Sequence, residues 1–197
     1  MSDRPVHHGN LRAVLLDQAE VRLRERGVAG LSLRELAREA GVSHGAPRSH
    51  FIDRAALLDA LAERGFVRFA EVVEQASTRR STSYRSRLRR TAHAALDFSI
   101  GNAALLEVMF TGKVGEASEA IERAAGRLFL AVRGVIDAGV AAGAFEEADV
   151  ERISLLWSAT VQGAATLVAS GRATRAQADA IVDDTVALVL SGSIRAL

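Results

Sequence analysis

The stretch Leu31–Phe51 reads LSLRELAREAGVSHGAPRSHF, and it decides the fold. Its Ser32–Glu35 run has the pattern of a capping box, in which serine accepts from the glutamate amide and the glutamate reaches back. The run predicts the start of a short helix that Gly41 ends. Ser43 is then placed to cap a third short helix through about His50. Two short helices that meet across a three-residue turn, after a supporting helix, are typical of a helix-turn-helix.

Apolar residues at helical spacing predict further helices on both sides of this stretch. Nine helices are predicted in all, and no run alternates apolar and polar residues as a strand would. The fourth runs from a cap at Asp53 to about residue 77, and Gly65 in its middle requires a packing reason or a bend. Residues 77–86, STRRSTSYRS, lack an apolar stripe and are predicted as a basic loop. The other predicted helices span residues 10–26, 87–100, 102–111, 117–138, 149–170 and 174–190.

Local signals mark the ends of the last two predicted helices. Asp149 is a predicted cap at the start of the eighth helix, and Gly171 is predicted to end it. Thr174 and Gln177 form a second capping box that opens the ninth helix. The sequence therefore predicts an all-α fold.

Composition limits the class of protein. The chain has 197 residues, of which 49% are apolar, enough to bury roughly 70% of the unfolded surface. It contains no cysteine, which excludes disulfides, thiolate metal sites and cysteine nucleophiles. No uncharged apolar run reaches the roughly 18 residues of a membrane span, and the start, MSDRPVHHGN, lacks the apolar core of a secretory signal. We therefore expect a cytoplasmic protein that has no membrane partner.

Charge is distributed unevenly along the chain. Residues 1–95 carry 17 arginines against 11 acidic residues, a net charge of +6, whereas residues 96–197 carry 8 basic and 13 acidic residues, a net charge of −5. Arginine accounts for 24 of the 25 basic residues, and its planar fork suits phosphate. A polyanion would meet the N-terminal half, although charge alone also fits solvated helix faces.

Small and polar residues around the turn are the candidate DNA contacts. Gly45 and Ala46 would let the third helix approach the duplex closely, while the polar residues beside them supply donors to bases and phosphates. The amide ends of the second and fourth helices suit phosphate. The core would be formed by Leu33, Leu36, Ala37, Ala40 and Phe51. The candidate DNA-binding residues are Ser32, Arg34, Ser43, His44, Gly45, Ala46, Arg48, Ser49, His50 and Arg54.

The run from His7 to about Phe66 resembles the DNA-binding domain of the tetracycline-repressor (TetR) family, through HHGNLR, LSLRELAREAGVS, GAP and HF. The nine predicted helices and the long fourth helix agree with that family. The segment LLWSATVQGAATL, Leu155–Leu167, is similar to one subgroup of its regulatory domains, with Gln162 in place of a histidine. The resemblance implies a DNA-binding domain over residues 1–55 and a regulatory, ligand-binding and dimerisation domain over residues 56–197.

One departure from the family bears on DNA contact. Arg48 stands where the family usually has a tyrosine that contacts a phosphate through its hydroxyl. Arginine can still reach phosphate, or it can turn to a guanine edge, so the operator preference is expected to be unusual. Arg54 replaces the common lysine and keeps the charge.

The resemblance also implies the partners: a palindromic double-stranded DNA operator, a small-molecule effector and a second copy of the chain. The resulting homodimer is expected to act as a repressor and to need no cofactor. The resemblance implies a four-helix dimer interface made by the eighth and ninth helices of each copy. On the ninth helix nothing later in the chain covers the apolar-to-neutral stripe predicted for this interface, at Ile181, Val182, Thr185, Val186, Val189 and Leu190. The effector pocket is expected to be apolar, with Gln162, Thr160 and Ser99 among its few polar groups. Because the acidic residues are concentrated on outward positions, a hydrophobic or cationic compound is preferred. Its candidate residues are Phe66, Phe69, Phe98, Met109, Phe110, Phe129, Trp157 and Gln162.

Other interpretations stay open at this point. An all-α small-molecule or protein-binding module with a degenerate helix-turn-helix is a second hypothesis, motivated by the missing tyrosine. Enzyme activity is not expected, because the sequence offers no catalytic pair or phosphate cradle. The adjacent His7 and His8 lack further ligands at metal-site spacing, so no metal is expected.

Overall fold

The computed structural model describes residues 11–81, 83–111 and 118–192, and the regular elements in those ranges are all helices. The all-α prediction is confirmed. Three short 3₁₀ turns lie at Val28–Gly30, Ala46–Ser49 and Glu147–Asp149. The α-helices in the described ranges are α1 (Leu11–Arg26), α2 (Leu33–Glu39), α3 (Arg54–Thr78), α4 (Tyr84–Gly101), α5 (Ala103–Thr111), α6 (Glu119–Ala141), α7 (Val150–Ala169) and α8 (Arg175–Leu190).

Eight α-helices therefore stand, in the described ranges, where nine were predicted, because the third predicted helix is the 3₁₀ turn Ala46–Ser49. Pro47 is its second residue and has no amide hydrogen, so an i→i−4 bond from this position to Ser43 cannot form. The amide of Arg48 donates instead to Gly45 O at 3.1 Å. Three-residue hydrogen-bonded turns are the tighter alternative to the α-helix.

Several predicted helix ends are confirmed. Asp53 Oδ1 accepts from the amide of Ala56 at 2.9 Å, at the start of α3. Thr174 and Gln177 form the predicted capping box at the start of α8. Gly171 has φ +69° after the end of α7, a conformation that costs glycine little.

Three predicted caps are wrong, and the predicted basic loop is too long. Ser43 caps no helix, because Gly45 precedes the 3₁₀ turn there and no side chain caps it. Ser32 precedes α2 without a side-chain cap hydrogen bond, and Asp149 likewise does not cap α7. The Asp149 carboxylate accepts from Arg152 Nη2 at 2.5 Å instead. α4 begins at Tyr84, inside the predicted loop, because the Ser83 hydroxyl caps it by accepting from the amide of Ser86 at 3.2 Å.

Contacts group the described residues into two units. The first comprises residues 11–65, 104–111 and 118–122, so it contains α1, α2 and the beginning of α3. Leu15, Leu23, Leu36, Phe51 and Leu57 are among its fully buried side chains. Gly65 belongs to it and has the expected packing reason, because a Cβ there would lie 2.5 Å from Met109 Sδ.

The second unit comprises residues 66–81, 83–103 and 123–192. Helices α4, α7 and α8 pack against one another in it. Their shared core includes Leu88 and Leu96 of α4, Val161 of α7 and Val182 of α8. The division at residue 55 inferred from the family stays a prediction about function, while this grouping divides α3 ten residues later.

No single helix within the described ranges has both the length and the apolarity to cross a membrane. Taken together, the bent pair Tyr84–Gly101 and Ala103–Thr111 passes the same test by length and composition alone.

Candidate nucleic-acid interface

The turn after α2 is set by Gly41. Its φ is +68°, which places it in the left-handed region. The amide of Val42 donates to Ala37 O at 3.0 Å, and the amide of Gly41 donates to Arg38 O at 3.2 Å. These two bonds form a Schellman motif, which ends α2 and redirects the chain.

The 3₁₀ turn that follows is anchored at its end. Pro47 is buried, and its carbonyl accepts from the amide of Phe51 at 2.8 Å. Phe51 itself is only 1% exposed, and the guanidinium of Arg12 lies 5.4 Å from its ring centroid. The apolar side chains on this segment therefore fix it to the core, which leaves its polar side chains on the outside.

The polar side chains predicted to meet DNA lie on the surface. Ala46 is half-buried, and a Cβ added at Gly45 would meet nothing within 4 Å. Residues 40–52 contain no acidic residue. The segment therefore offers an open surface of neutral and positive donors, which suits phosphate and base edges. The exposed members are Ser43, His44, Gly45, Arg48, Ser49 and His50.

A buried arginine holds α2 against α1. Arg22 is 6% exposed, and its Nη1 donates to Glu35 Oε2 at 2.7 Å. Its Nε donates to Glu39 Oε2 at 2.8 Å, and its Nη2 bonds the other oxygen of Glu39. The hydrogen bond from Arg22 lowers the pKa of Glu39, and the bond to Glu39 raises the pKa of Arg22. Glu35 is thus committed to Arg22 and cannot close the capping box with Ser32.

The sequence interpretation missed this clamp, although a signal was present. Arg22 interrupts the apolar stripe of α1 between Ala19 and Leu23, and the two glutamates lie four residues apart on α2. A charge on an apolar face requires a partner because burial of an unpaired charge is costly.

Arg54 also has a structural task. Its Nη2 donates to Val28 O at 2.6 Å and its Nε to Leu31 O at 3.2 Å, so it fixes the connection between α1 and α2. Arg34 is exposed on α2 and Ser32 is half-buried before it. Arg54 is therefore a predicted phosphate contact that the fold already employs, and so is Ser49, whose hydroxyl donates to Ala46 O at 2.7 Å.

The predicted effector residues are divided between core and surface. Phe69 and Phe98 stack in the second unit with ring centroids 4.6 Å apart, and Phe66 and Trp157 are buried there. Met109 is buried in the first unit, against Gly65. The other predicted residues are less enclosed: Gln162 is half-buried, while Phe110 and Phe129 are 38% and 56% exposed.

Two enclosed polar atoms of residues expected to line the effector pocket have no hydrogen-bond partner among the described residues. They are Trp157 Nε1 on α7 and Ser99 Oγ on α4, whose residues are 7% and 0% exposed. Buried polar groups are normally satisfied, so these are the polar atoms that a ligand in this region would serve best.

The predicted dimer stripe on α8 lies largely inside the protomer. Val182, Val186 and Val189 are 1%, 4% and 8% exposed, because α4 and α7 cover them. The expectation from the sequence concerned only later segments as a cover for this stripe, and the cover comes from the earlier helices α4 and α7. Ile181 remains 37% exposed, and Thr185 is half-buried.

Other apolar and small residues of α7 and α8 are exposed. Leu155 and Leu188 are 65% and 53% exposed, and Ala159 and Gly163 continue the exposed face of α7 at intervals of four residues. A Cβ added at Gly163 would meet nothing within 4 Å. The face combines apolar and small side chains, which allow close approach of another helix.

Ion pairs line the contact between α4 and α8. Arg89 donates from Nε and Nη2 to the two oxygens of Asp183, at 2.6 and 2.7 Å. His93 lies 3.1 Å from Asp179 through Nδ1 and 2.8 Å from Asp183 through Nε2. The bond from Arg89, followed by that from His93, lowers the pKa of Asp183 from 3.8 to about 2. The network fixes α8 beside α4.

No three His, Asp or Glu side chains come together as a metal site in the part of the chain that the structure describes. His7 and His8 lie outside the described residues.

Two family models match the chain. The model described as "Bacterial regulatory proteins, tetR family" matches residues 15–61. The model described as "Tetracyclin repressor-like, C-terminal domain" matches residues 88–189. No curated protein matches the chain in sequence.

Solved structures share the fold along almost the whole chain. A protein with unknown function from Rhodococcus sp. RHA1 is 40% identical, with a TM-score of 0.86 over 96% of this chain and 98% of that chain. The TetR family transcriptional regulator PfmR from Thermus thermophilus is 20% identical, with a TM-score of 0.69 over 92% and 99%. FadR from Bacillus subtilis, solved in complex with stearoyl-CoA, is 17% identical, with a TM-score of 0.68 over 91% and 98%.

Proposed function

The chain belongs to the tetracycline-repressor (TetR) family of bacterial transcriptional regulators, and on that premise we propose that it is a homodimeric, ligand-responsive repressor. In this proposal residues 1–55 bind a near-palindromic DNA operator, and residues 56–197 dimerise and bind the effector. The effector binds preferentially to a conformer in which the recognition turns are misplaced for DNA, and this releases the operator. The loss of DNA affinity is limited by the difference between the effector's affinities for this conformer and for the DNA-binding one.

The observation that carries the proposal is the exposed polar turn after α2. Ser43, His44 and Arg48 project from a segment whose apolar residues Pro47 and Phe51 are buried. Such a segment enters a major groove without rearrangement of the core behind it. A two-fold dimer presents two such turns about 34 Å apart, which matches successive major grooves on one side of a duplex.

The dimer in this proposal forms through the exposed face of α7 and α8. Leu155, Ala159 and Gly163 on α7 and Ile181 and Leu188 on α8 supply its apolar and small side chains. Two helices from each protomer would then form a four-helix interface. This assignment replaces Val182, Val186 and Val189, whose side chains are already used within the protomer.

The effector in this proposal is a small molecule with an apolar body. The stacked Phe69 and Phe98 supply an apolar surface, and Trp157 Nε1 and Ser99 Oγ supply enclosed polar groups. The complex of FadR with stearoyl-CoA supports small-molecule binding by this fold.

Selection of duplexes from a random pool tests DNA recognition. We expect an enriched near-palindrome, and fluorescence anisotropy should give an affinity for it that falls steeply between two salt concentrations. A flat, negligible response to all duplexes would support the second candidate, an all-α binding module with a degenerate helix-turn-helix. That candidate is favoured by Arg48 in the place of the family's usual tyrosine.

The role of Arg48 can be separated within the same assay. Arg48→Ala should weaken operator binding by roughly 1–3 kcal/mol if the guanidinium reads a base, with relaxed preference at one position. Uniform weakening across sequences would place Arg48 on phosphate. An unchanged affinity would remove Arg48 from the interface.

The dimer face is tested by Gly163→Arg, because the protomer has open space there. We expect a folded monomer by light scattering that binds the palindrome poorly. Gly126→Arg on α6 is the matched control, since a Cβ there also meets nothing within 4 Å. A Gly163→Arg protein that stays dimeric would contradict this interface.

A further inference from the structure

A basic groove lies in the second unit, where α3 ends and α4 begins. Its volume is about 560 Å³, within the range of small-molecule sites. Part of α6 lines its other side. The lining residues that matter here are Arg79, Arg80, Tyr84, Arg87, Gly134 and Val135.

All the charged residues that line the groove are basic. Three of its lining residues are arginines, and none is acidic. In the described ranges, no carboxylate forms an ion pair with Arg79, Arg80 or Arg87. By contrast, Arg89 and Arg127, on the helices that border the groove, each bind a carboxylate. The groove therefore retains cationic donors that the fold has not neutralised.

Arg87 is the most buried of the three arginines that line the groove. Its side chain is half-buried, and its guanidinium lies 5.6 Å from the centroid of the Tyr84 ring. Its Nε is enclosed and has no hydrogen-bond partner among the described residues. An enclosed donor without an acceptor costs free energy, and an oxyanion in the groove would supply that acceptor.

Hydroxyl groups in the groove are already committed as donors. Ser77 donates to Glu74 O at 2.8 Å, and Ser81 donates to Ser83 O at 3.1 Å. The Tyr84 hydroxyl donates to Val135 O at 3.1 Å, and burial raises the pKa of this phenol, so it stays neutral. Recognition of a ligand in this groove therefore depends on the arginines.

The shape of the groove is built by packing and by a further arginine. Gly139 lets the rings of Tyr84 and Phe145 lie against α6, because a Cβ there would be 2.5 Å from Phe145 and 2.6 Å from Tyr84. Arg90 ties down the connection to α4 by donating to Ala76 O at 3.0 Å and Arg79 O at 2.7 Å. Gly134 lines the groove without a side chain, and a Cβ added there would meet nothing within 4 Å.

We propose that this groove binds a small molecule that carries a phosphate or diphosphate group. Planar guanidiniums pair with phosphate oxygens through two parallel hydrogen bonds, and three of them balance a multiply charged anion. A concave groove of this volume favours a small ligand over a duplex. The inference is independent of operator binding, because it rests on residues of the second unit alone.

The first test is a calorimetric titration of the full chain with inorganic pyrophosphate at fixed ionic strength. We expect saturable binding, and we expect Arg87→Gln to weaken it roughly tenfold, the effect of about one charge-assisted hydrogen bond. Arg85→Gln is the matched control, since Arg85 is exposed on the same helix and does not line the groove. Equal losses in both variants would indicate diffuse charge attraction and would overturn the proposal.

A second variant avoids any change to the arginines. Gly134→Glu places a carboxylate in the groove at a position where a Cβ meets nothing within 4 Å, so the fold should be retained. We expect pyrophosphate binding to fall below detection, while Gly126→Glu on the same helix leaves it unchanged. Absence of pyrophosphate binding to the unmodified chain would overturn the proposal. The proposal would also be overturned if Arg87→Gln and Gly134→Glu weakened duplex binding but left pyrophosphate binding unchanged. The groove would then contact nucleic acid.

Discussion

Helices α2 and α8 are both held in place by arginine–carboxylate pairs, yet the pairs lie in different surroundings. The Arg22 side chain is 8% exposed between α1 and α2, whereas the side chains of Arg89 and Asp183 are 58% and 35% exposed at the edge of the second unit. Helix α2 has seven residues and buries two of them, while α8 has sixteen and buries four.

The difference shows how each unit compensates for its size. A helix of seven residues buries little apolar area, so the position of α2 depends on its ion pairs with the buried guanidinium of Arg22. The second unit has long helices whose small residues allow close packing, so its charges can remain at the periphery. Exposed pairs of this kind contribute little to stability. Four measurements test this contrast.

The largest loss of stability should come from a larger side chain placed in the tightly packed part of the second unit. Gly139→Leu forces a side chain against the rings of Phe145 and Tyr84, which already lie within 2.6 Å of a Cβ there. We expect a loss of about 3 kcal/mol in the free energy of unfolding, measured by urea denaturation. Gly134→Leu on the same helix has open space and should lose nothing. Equal stability of the two variants would contradict close packing at Gly139.

The next effect should come from removal of the buried clamp. Arg22→Ala leaves Glu35 and Glu39 without their partner, so we expect the Tm of the first unit to fall by several degrees and operator binding to weaken with it. Arg24→Ala on the exposed side of the same helix is the control. An equal Tm for the Arg22→Ala and Arg24→Ala variants would indicate that apolar contacts hold α2 in place instead.

A smaller effect is expected at the edge of the second unit, and it should depend on pH. Asp183 has a folded-state pKa of about 2 against an ordinary value of 3.8, so its stabilisation is present at neutral pH and is lost as the pH falls from 3.8 toward 2. Because Asp183 is partly exposed, Asp183→Asn should cost only about 1 kcal/mol at pH 7. The Tm difference from the unmodified chain should narrow as the pH falls below 4. A constant difference, or one matched by Asp184→Asn, would exclude the ion pair as its source.

The smallest effect separates a cap that forms from one that does not. Thr174→Ala removes a hydroxyl that accepts from the amide of Gln177 at 3.2 Å, and it should destabilise the chain by roughly 0.5–1 kcal/mol. Ser32→Ala should change stability very little, because Ser32 makes no side-chain cap bond. Thermal denaturation of both variants provides the measurement, and a larger loss at Ser32 would contradict the assignment of Glu35 to Arg22.

Sequence patterns were most reliable where a signal and its partner are close in the chain. Gly41, Gly171 and the Thr174–Gln177 box act within one or two turns, and each was predicted correctly. The Ser32–Glu35 box has the same pattern but fails, because Arg22, thirteen residues before Glu35, takes the carboxylate. A local pattern cannot reveal a competitor that tertiary folding brings to it.

The predicted dimer stripe shows a related limit of sequence patterns. Apolar spacing on α8 identifies a face that must be covered, and Val182, Val186 and Val189 are indeed covered. Periodicity does not say whether the cover comes from the same chain or from a second copy. Helices α4 and α7 supply it within the protomer, whereas Leu155, Gly163, Ile181 and Leu188 stay exposed on α7 and α8.

The helical class, the position of the turn at Gly41 and the polar character of residues 43–50 follow from the order of the amino acids, because helix periodicity and glycine conformation act locally. Three other arrangements arise only when the helices pack: Arg22 lies buried between two glutamates, Arg54 supports the backbone, and Arg79, Arg80 and Arg87 line one groove. Those arrangements bring together residues that are distant in the chain or on different helices. Their energies come from burial and from the partners available in space, which spacing along a sequence does not specify.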